Sequence, residues 1–148
     1  MKKTMLLLAA FIGLSASLAN AADRATPDEA KAMAIKAADY LKANGPDKSC
    51  AAFQDKAGPF RDRDLYVTVQ DSKGVMVCHG TNPGLIGKSV LDLVDVDGKP
   101  FNRQIQAIKD NGWVDYKWKN PVTNAVEEKT AYETRTGDYI VGVGAYKQ

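Results

Sequence analysis

Two cysteines, one histidine and no apolar run beyond Leu18 long enough to span a bilayer set narrow limits on what this 148-residue chain can do. Gly-x-Ser-x-Gly, His-Glu-x-x-His and a phosphate-binding glycine-rich loop are all missing, and neither cysteine is placed as an obvious nucleophile. A single histidine leaves little material for a catalytic triad or a metal centre. Cys-x-x-Cys is absent too, and although Cys78-His79 resembles the end of a haem-attachment motif, Val75 stands where its first cysteine would be, which excludes covalent haem. Asp92, Asp95 and Asp97 lack the other liganding positions and the closing glutamate of a calcium loop, so they read as a solvated turn. No internal repeat or low-complexity tract interrupts the chain, and its length suits one domain. On these absences the chain is expected to be no enzyme and to need no cofactor.

The N-terminus carries Lys2 and Lys3, an apolar run from Met5 to Leu18 and the triplet Ala19-Asn20-Ala21. That order is the signature of a secretory signal peptide over residues 1–21. A single domain over residues 22–148 then lies in the periplasm or outside the cell. Lys2 and Lys3 leave with the leader, so Lys plus Arg falls from 20 to 18, equal to Asp plus Glu, and the net charge falls from +2 to zero. A nucleic-acid partner loses its electrostatic basis. In an oxidising compartment Cys50 and Cys78 have one intramolecular pairing open to them; the alternative is two buried thiols.

Thr26-Pro27-Asp28-Glu29 is a capping box with proline at the first helical position, and Ala30, Met33, Ala34, Ala37 and Leu41 recur at helical spacing. A helix is expected from Pro27 to Ala43, stopped by Asn44-Gly45-Pro46, with a shorter one capped by Asp47 and running through Phe53. At Leu65 the period changes to two, giving a hairpin of Leu65–Gln70 and Val75–His79. A long ordered loop, Thr81–Asp97, and a helix over Pro100–Lys109 come next. Strands over Trp113–Trp118, Val126–Arg135 and Tyr139–Ala145 complete the chain. The fold class is α+β: a PAS-like antiparallel sheet of five to six strands, with the N-terminal helix on one face and the loop and second helix on the other.

Several stretches in this order carry a family likeness: Asp64-Leu65-Tyr66-Val67, the Gly74 turn, Cys78-His79-Gly80-Thr81-Asn82-Pro83, Leu85-Ile86-Gly87-Lys88, Asp95 to Phe101, Gly112 to Trp118, Asn120-Pro121 and Lys129-Thr130-Ala131-Tyr132. Together they resemble the single Cache domain family of extracytoplasmic sensor modules, over nearly all of the chain after the leader. The resemblance implies a domain that holds a small ligand, often a short carboxylate of the acetate, pyruvate or lactate class, between the sheet and its cover. In receptors of this kind the signal passes through membrane helices to a kinase or chemotaxis output. Here the expectation is a separate membrane receptor or histidine kinase as partner. The alternative is an accessory subunit of a periplasmic signalling system that recognises a protein and holds no small molecule.

Period two places Val114, Tyr116 and Trp118 on one strand face. Tyr116 and Trp118 would supply an apolar wall with a hydroxyl and an indole N–H, unless both only pack the core. Lys129, at the start of an apolar-flanked strand, is either the cation that a carboxylate neutralises or a solvated lysine near Glu127 and Glu128. His79 stands at a strand end beside the long loop as a donor or a structural histidine. Tyr66 and Tyr132 join the candidates, although their strand faces stay open at this point. Lys88 reads as an exposed loop lysine.

Overall fold

Thr26 opens the first helix as its neighbours dictate. Its hydroxyl accepts from the Glu29 amide, the Glu29 carboxylate accepts from the Thr26 amide, and Pro27 occupies the first turn, where no amide donor is needed. The computed structural model describes residues 24–147, so the leader expected over residues 1–21 lies outside the described residues. Helix α1 spans Pro27–Gln54 and buries Ala30, Ala34, Ala37, Ala38 and Leu41, a narrow stripe that lets the helix backbone lie close on the sheet. The break expected at Asn44-Gly45-Pro46 is present as a kink. Gly45 adopts φ 76° and ψ 170°, a conformation suited to glycine, and helical geometry resumes with Pro46 at a position that requires no donor. The two expected helices are therefore two arms of one bent element.

The strands are β1 (Arg61–Asp62), β2 (Leu65–Asp71), β3 (Met76–His79), β4 (Asn111–Lys119), β5 (Val126–Thr136) and β6 (Tyr139–Tyr146), all paired antiparallel. Their order is β1-β2-β6-β5-β4, with β3 sharing the outer edge of β2 with β1. The six strands and the flanking helix match the fold class read from sequence; β1 is the addition, two polar residues too short to leave a periodic signal. Helix α2 covers Phe101–Ala107, shorter at both ends than the expected 100–109.

One face of the sheet packs on α1: Leu65, Val67 and Val69 from β2, Cys78 from β3, and Val141, Val143 and Ala145 from β6 meet the alanine stripe, Leu41, Phe53 and Phe60. Cys50 and Cys78 are bonded across 5.4 Å between Cα atoms, which pins the second arm of α1 to β3. The opposite face is covered by the segment 80–100 and α2. Met76 and Gly87 fasten this cover through backbone bonds between Met76 and Lys88 and between Gly87 and Met76. Asp95 accepts from the amides of Asp97, Lys99 and Lys117, closing its own turn and capping the free edge of β4. Asp95 thus has a turn-forming role, while Asp92 and Asp97 pair with Arg103 and Lys117. Lys88 is exposed, as read from sequence.

Candidate ligand-binding site

Strand parity decides which side chains meet beneath the cover. Tyr116 pairs with Lys129 across β4 and β5, Ala131 with Gly144 and Glu133 with Gly142 across β5 and β6, and Gly142 with Thr68 across β6 and β2. Thr68 in turn pairs with His79 on β3. The cover side of the sheet therefore carries Tyr66, His79, Tyr116, Trp118 and Lys129 together. Tyr132, three residues beyond Lys129, has the opposite parity. It packs in the α1 core, with its ring against Trp113 and below Lys31, so the structure separates it from the other five candidates.

Lys129 is 2% exposed. Its ammonium donates to the Tyr66 hydroxyl at 2.9 Å and lies 4.1, 5.1 and 5.7 Å from the ring centres of Tyr66, Tyr146 and Tyr116. Such a cage stabilises a desolvated cation through ring quadrupoles but leaves its charge uncompensated. Among the described residues, no ion pair within 4.0 Å includes Lys129. Tyr146 spends its proton on the Lys119 carbonyl at 2.7 Å and lies 3.4 Å from the Tyr66 oxygen. The Tyr66 hydroxyl, which accepts from Lys129, is therefore the donor in that long contact with Tyr146.

His79 accepts on Nδ1 from the amides of Asn82 at 3.0 Å and Thr81 at 3.2 Å, so Nε2 carries the proton of the neutral ring. Burial, together with the charges of Lys129 and Arg61, lowers its pKa to about 3. The ring stacks on Tyr66 with centres 5.1 Å apart. His79 is thus held as a neutral donor next to the caged ammonium.

Glu133 escaped the sequence reading. It is 2% exposed and shares the Lys129 face four residues further along β5. Burial pushes its carboxyl up to about 8, with the Lys129 charge acting in the opposite sense. Two glycines make room for the pair. A Cβ on Gly142 would approach the Glu133 carboxylate closer than 3.0 Å, and one on Gly144 would meet Lys129 Cγ at 2.9 Å and Cδ at 3.0 Å. In β6 the sequence Val141-Gly142-Val143-Gly144 alternates side chains toward α1 with bare backbone toward the site, and that alternation was the signal available for Glu133.

The cavity framed by Tyr66, His79, Tyr116, Trp118, Phe101 and Asn102 has a volume of about 20 Å³. That is room for one water molecule. Phe101 stacks on Tyr116 at 4.1 Å and fills most of the space beneath α2. Gln70 donates to Asn102 at 2.7 Å and accepts from Gln106 at 3.1 Å, latching α2 to β2. A two- or three-carbon guest therefore requires the cover to lift. His79 and Trp118 also border an open cleft of about 310 Å³ lined by Thr81, Asn82, Lys119, Pro121 and Asn124, which places them between cavity and solvent.

A helix-backed antiparallel sheet with a loop-and-helix cover is the architecture expected from the residues quoted above, and the model of the family described as Single Cache domain 2 matches residues 17–148. The chain belongs to the single Cache domain family. Solved relatives agree in fold: a methyl-accepting chemotaxis protein from Vibrio parahaemolyticus is 28% identical, with a TM-score of 0.67 over 80% of this chain and 86% of that one. A structure described as the basis for carboxylic acid recognition by a Cache chemosensory domain is 24% identical, with a TM-score of 0.64 over 82% and 88%. A periplasmic sensor domain of a chemotaxis protein is also 24% identical, with a TM-score of 0.59 over 82% and 90%. No curated relative matches the chain. Cache domains are sensory, ligand-binding modules of such receptors, and no helix among the described residues is long and apolar enough to cross a membrane.

Proposed function

We propose that this Cache domain binds a short organic carboxylate of the acetate, pyruvate or lactate class in the periplasm, after loss of residues 1–21, and passes the signal to a separate membrane receptor or histidine kinase. One observation carries the reading: an almost fully buried ammonium, Lys129, has no carboxylate partner within 4.0 Å among the described residues. Neutral His79 offers a donor beside it, and the Tyr66 hydroxyl can turn its proton from the long 3.4 Å contact with Tyr146 toward a guest. Trp118 and Phe101 supply apolar walls for the carbon body. A carboxylate there replaces its lost water with charge-assisted bonds, each contributing about 1.5–3 kcal/mol. The solved Cache structure described by its recognition of carboxylic acids supports the same ligand class.

A thermal-shift titration with acetate, pyruvate and lactate tests it. Saturating ligand at 100 times its dissociation constant adds about 2.7 kcal/mol to stability. Lys129→Ala should abolish the shift while Lys88→Ala keeps it, because Lys88 is solvent-exposed on the cover. Equal responses from the two variants remove Lys129 from the site.

A second reading, the accessory subunit without a small ligand, draws on an exposed apolar cleft of about 250 Å³ bordered by Val94, Val96, Trp118 and Val126. No shift with any acid, together with co-purification of a membrane kinase or receptor, favours it.

A further inference from the structure

Glu133 is a buried acid that the carboxylate site as described leaves without a task. Its side chain lies over Gly142, and the register partner of Gly142 on β2 is Thr68, a residue of the cavity wall. Strands are spaced about 4.8 Å apart, so the carboxyl reaches the row next to the cavity. The charged and titratable groups around it are accounted for. On β5 itself, Lys129 donates to Tyr66, and Arg135 donates to the carbonyls of Gln106 and Ile108. Neither pairs with Glu133 within 4.0 Å among the described residues. Tyr116 on β4, Tyr146 on β6, Tyr66 on β2 and His79 on β3 complete the set from the other strands. Helix α2 presents Phe101, Asn102 and Ile105 to the sheet and turns Arg103 out to Asp92.

An ionised carboxylate in this place would face an incoming anion across a dry interior with no counterion in contact among the described residues, an arrangement that like-charge repulsion opposes. A carboxylic acid in the same place is a hydrogen-bond donor. We propose that Glu133 serves the ligand site as the neutral acid, its O–H donated to an oxygen of the bound carboxylate, so that each anion is held together with one proton. This rests on the carboxylate reading above. Where Glu133 is ionised in the free protein, binding draws that proton from solvent onto the glutamate; no other bond is made or broken. Burial already favours the acid, with a pKa of about 8, and neutral His79, near 3, does not titrate in the same range.

The consequence is a specific pH profile. Affinity should be flat from pH 6 to 7 and fall about tenfold per unit above 8, where the proton must be supplied first. Isothermal titration of the purified chain with sodium acetate, and separately with sodium lactate, should give a Kd about tenfold higher at pH 9 than at pH 7. Repeating the titration at pH 8 in buffers of different ionisation heat should show uptake of about half a proton per anion bound. Glu133→Gln keeps a donor but cannot titrate, so its Kd ratio between pH 9 and pH 7 should be about 1, with no uptake. Binding that persists in the parent chain with a flat profile and no uptake overturns the role of Glu133 while leaving the carboxylate site in place. A tenfold rise that survives in Glu133→Gln assigns the proton elsewhere and also overturns it. Failure of both anions to bind at either pH removes the site and this proposal together. If the variant does not fold, proton uptake by the parent chain decides the question alone.

Discussion

Replacing Gly144 by alanine tests the arrangement that holds the buried cation. Gly144 has no positive φ, so alanine fits its backbone, and space alone determines the cost. The added methyl would come against Lys129 Cε and within 2.9 Å of Cγ and 3.0 Å of Cδ. The lysine stem must then leave its bed. Overpacking of this kind costs about 1–3 kcal/mol, and loss of the charge-assisted bond to Tyr66 adds about 1.5–3 kcal/mol. Together these give a destabilisation of about 2.5–6 kcal/mol, less whatever the ammonium recovers by reaching water. With Lys129 already truncated to alanine, the same methyl enters space that the stem vacated, and the penalty should drop below about 1 kcal/mol or reverse, because glycine to alanine stiffens the unfolded chain. Urea unfolding of the parent, both single variants and the double variant closes the cycle. A coupling energy of about 2 kcal/mol or more is expected, against the roughly 0.5 kcal/mol scatter of independent sites. Additive effects would show that Lys129 does not lie over Gly144, and the buried-cation argument would go with it.

Stability should also vary with pH. The folded pKa of Glu133, about 8, lies above the ordinary 4.5, so the stability it contributes is complete at low pH and is lost as pH rises toward 8. The depressed value of His79 acts oppositely, removing stability as pH falls below 6.5. Between pH 6.5 and 8 only the glutamate effect operates among these two, and chemical denaturation should show a loss of about 2 kcal/mol that Glu133→Gln abolishes. Reduction of the Cys50–Cys78 bond, which joins residues 28 apart, should cost about 3–4 kcal/mol in the chain-entropy model and lower Tm by several degrees; an unchanged Tm under reductant refutes a constraining role. Asn102→Ala removes the 2.7 Å latch between α2 and β2 and, if the cover must lift, should speed carboxylate association in stopped-flow fluorescence of Trp118; an unchanged rate constant would mean that the guest does not enter beneath α2.

Local pattern carried most of the fold. The capping box at Thr26, the period change at Leu65 and the turn residues at Asp71 to Gly74 each act within a few positions, and the helix, the hairpin and the last three strands fall where these signals place them. What failed to show in sequence is non-local. Strand β1 exists because Arg61 and Asp62 find Tyr66 and Leu65 to pair with, two residues, too few to leave a periodic signal of their own. In the site, Lys129, Tyr116 and Trp118 were legible because each offers unusual chemistry on an apolar strand. Tyr132 could have been set apart by parity alone once Lys129 was taken to face the ligand. Glu133 was hidden because an acid in a strand ordinarily points to water, and only the facing glycines on β6 make an inward carboxyl possible.

The two faces of one sheet are thus built to different specifications. Val141, Val143 and Ala145 on β6 are at most 1% exposed and pack against the alanines of α1, a wholly apolar contact that supplies stability without chemistry. On the reverse of the same strand, Gly142 and Gly144 give up that packing so that an ammonium and a carboxyl can lie in the interior, an arrangement that destabilises the fold by itself. An apolar pair at 129 and 133 with side chains at 142 and 144 would pack the second face as the first is packed. The chain instead holds a cation that pairs with no carboxylate within 4.0 Å among the described residues, beside a glutamate whose burial favours its proton. A guest that brings negative charge and accepts hydrogen bonds would meet both demands at once, as the proposed carboxylate does.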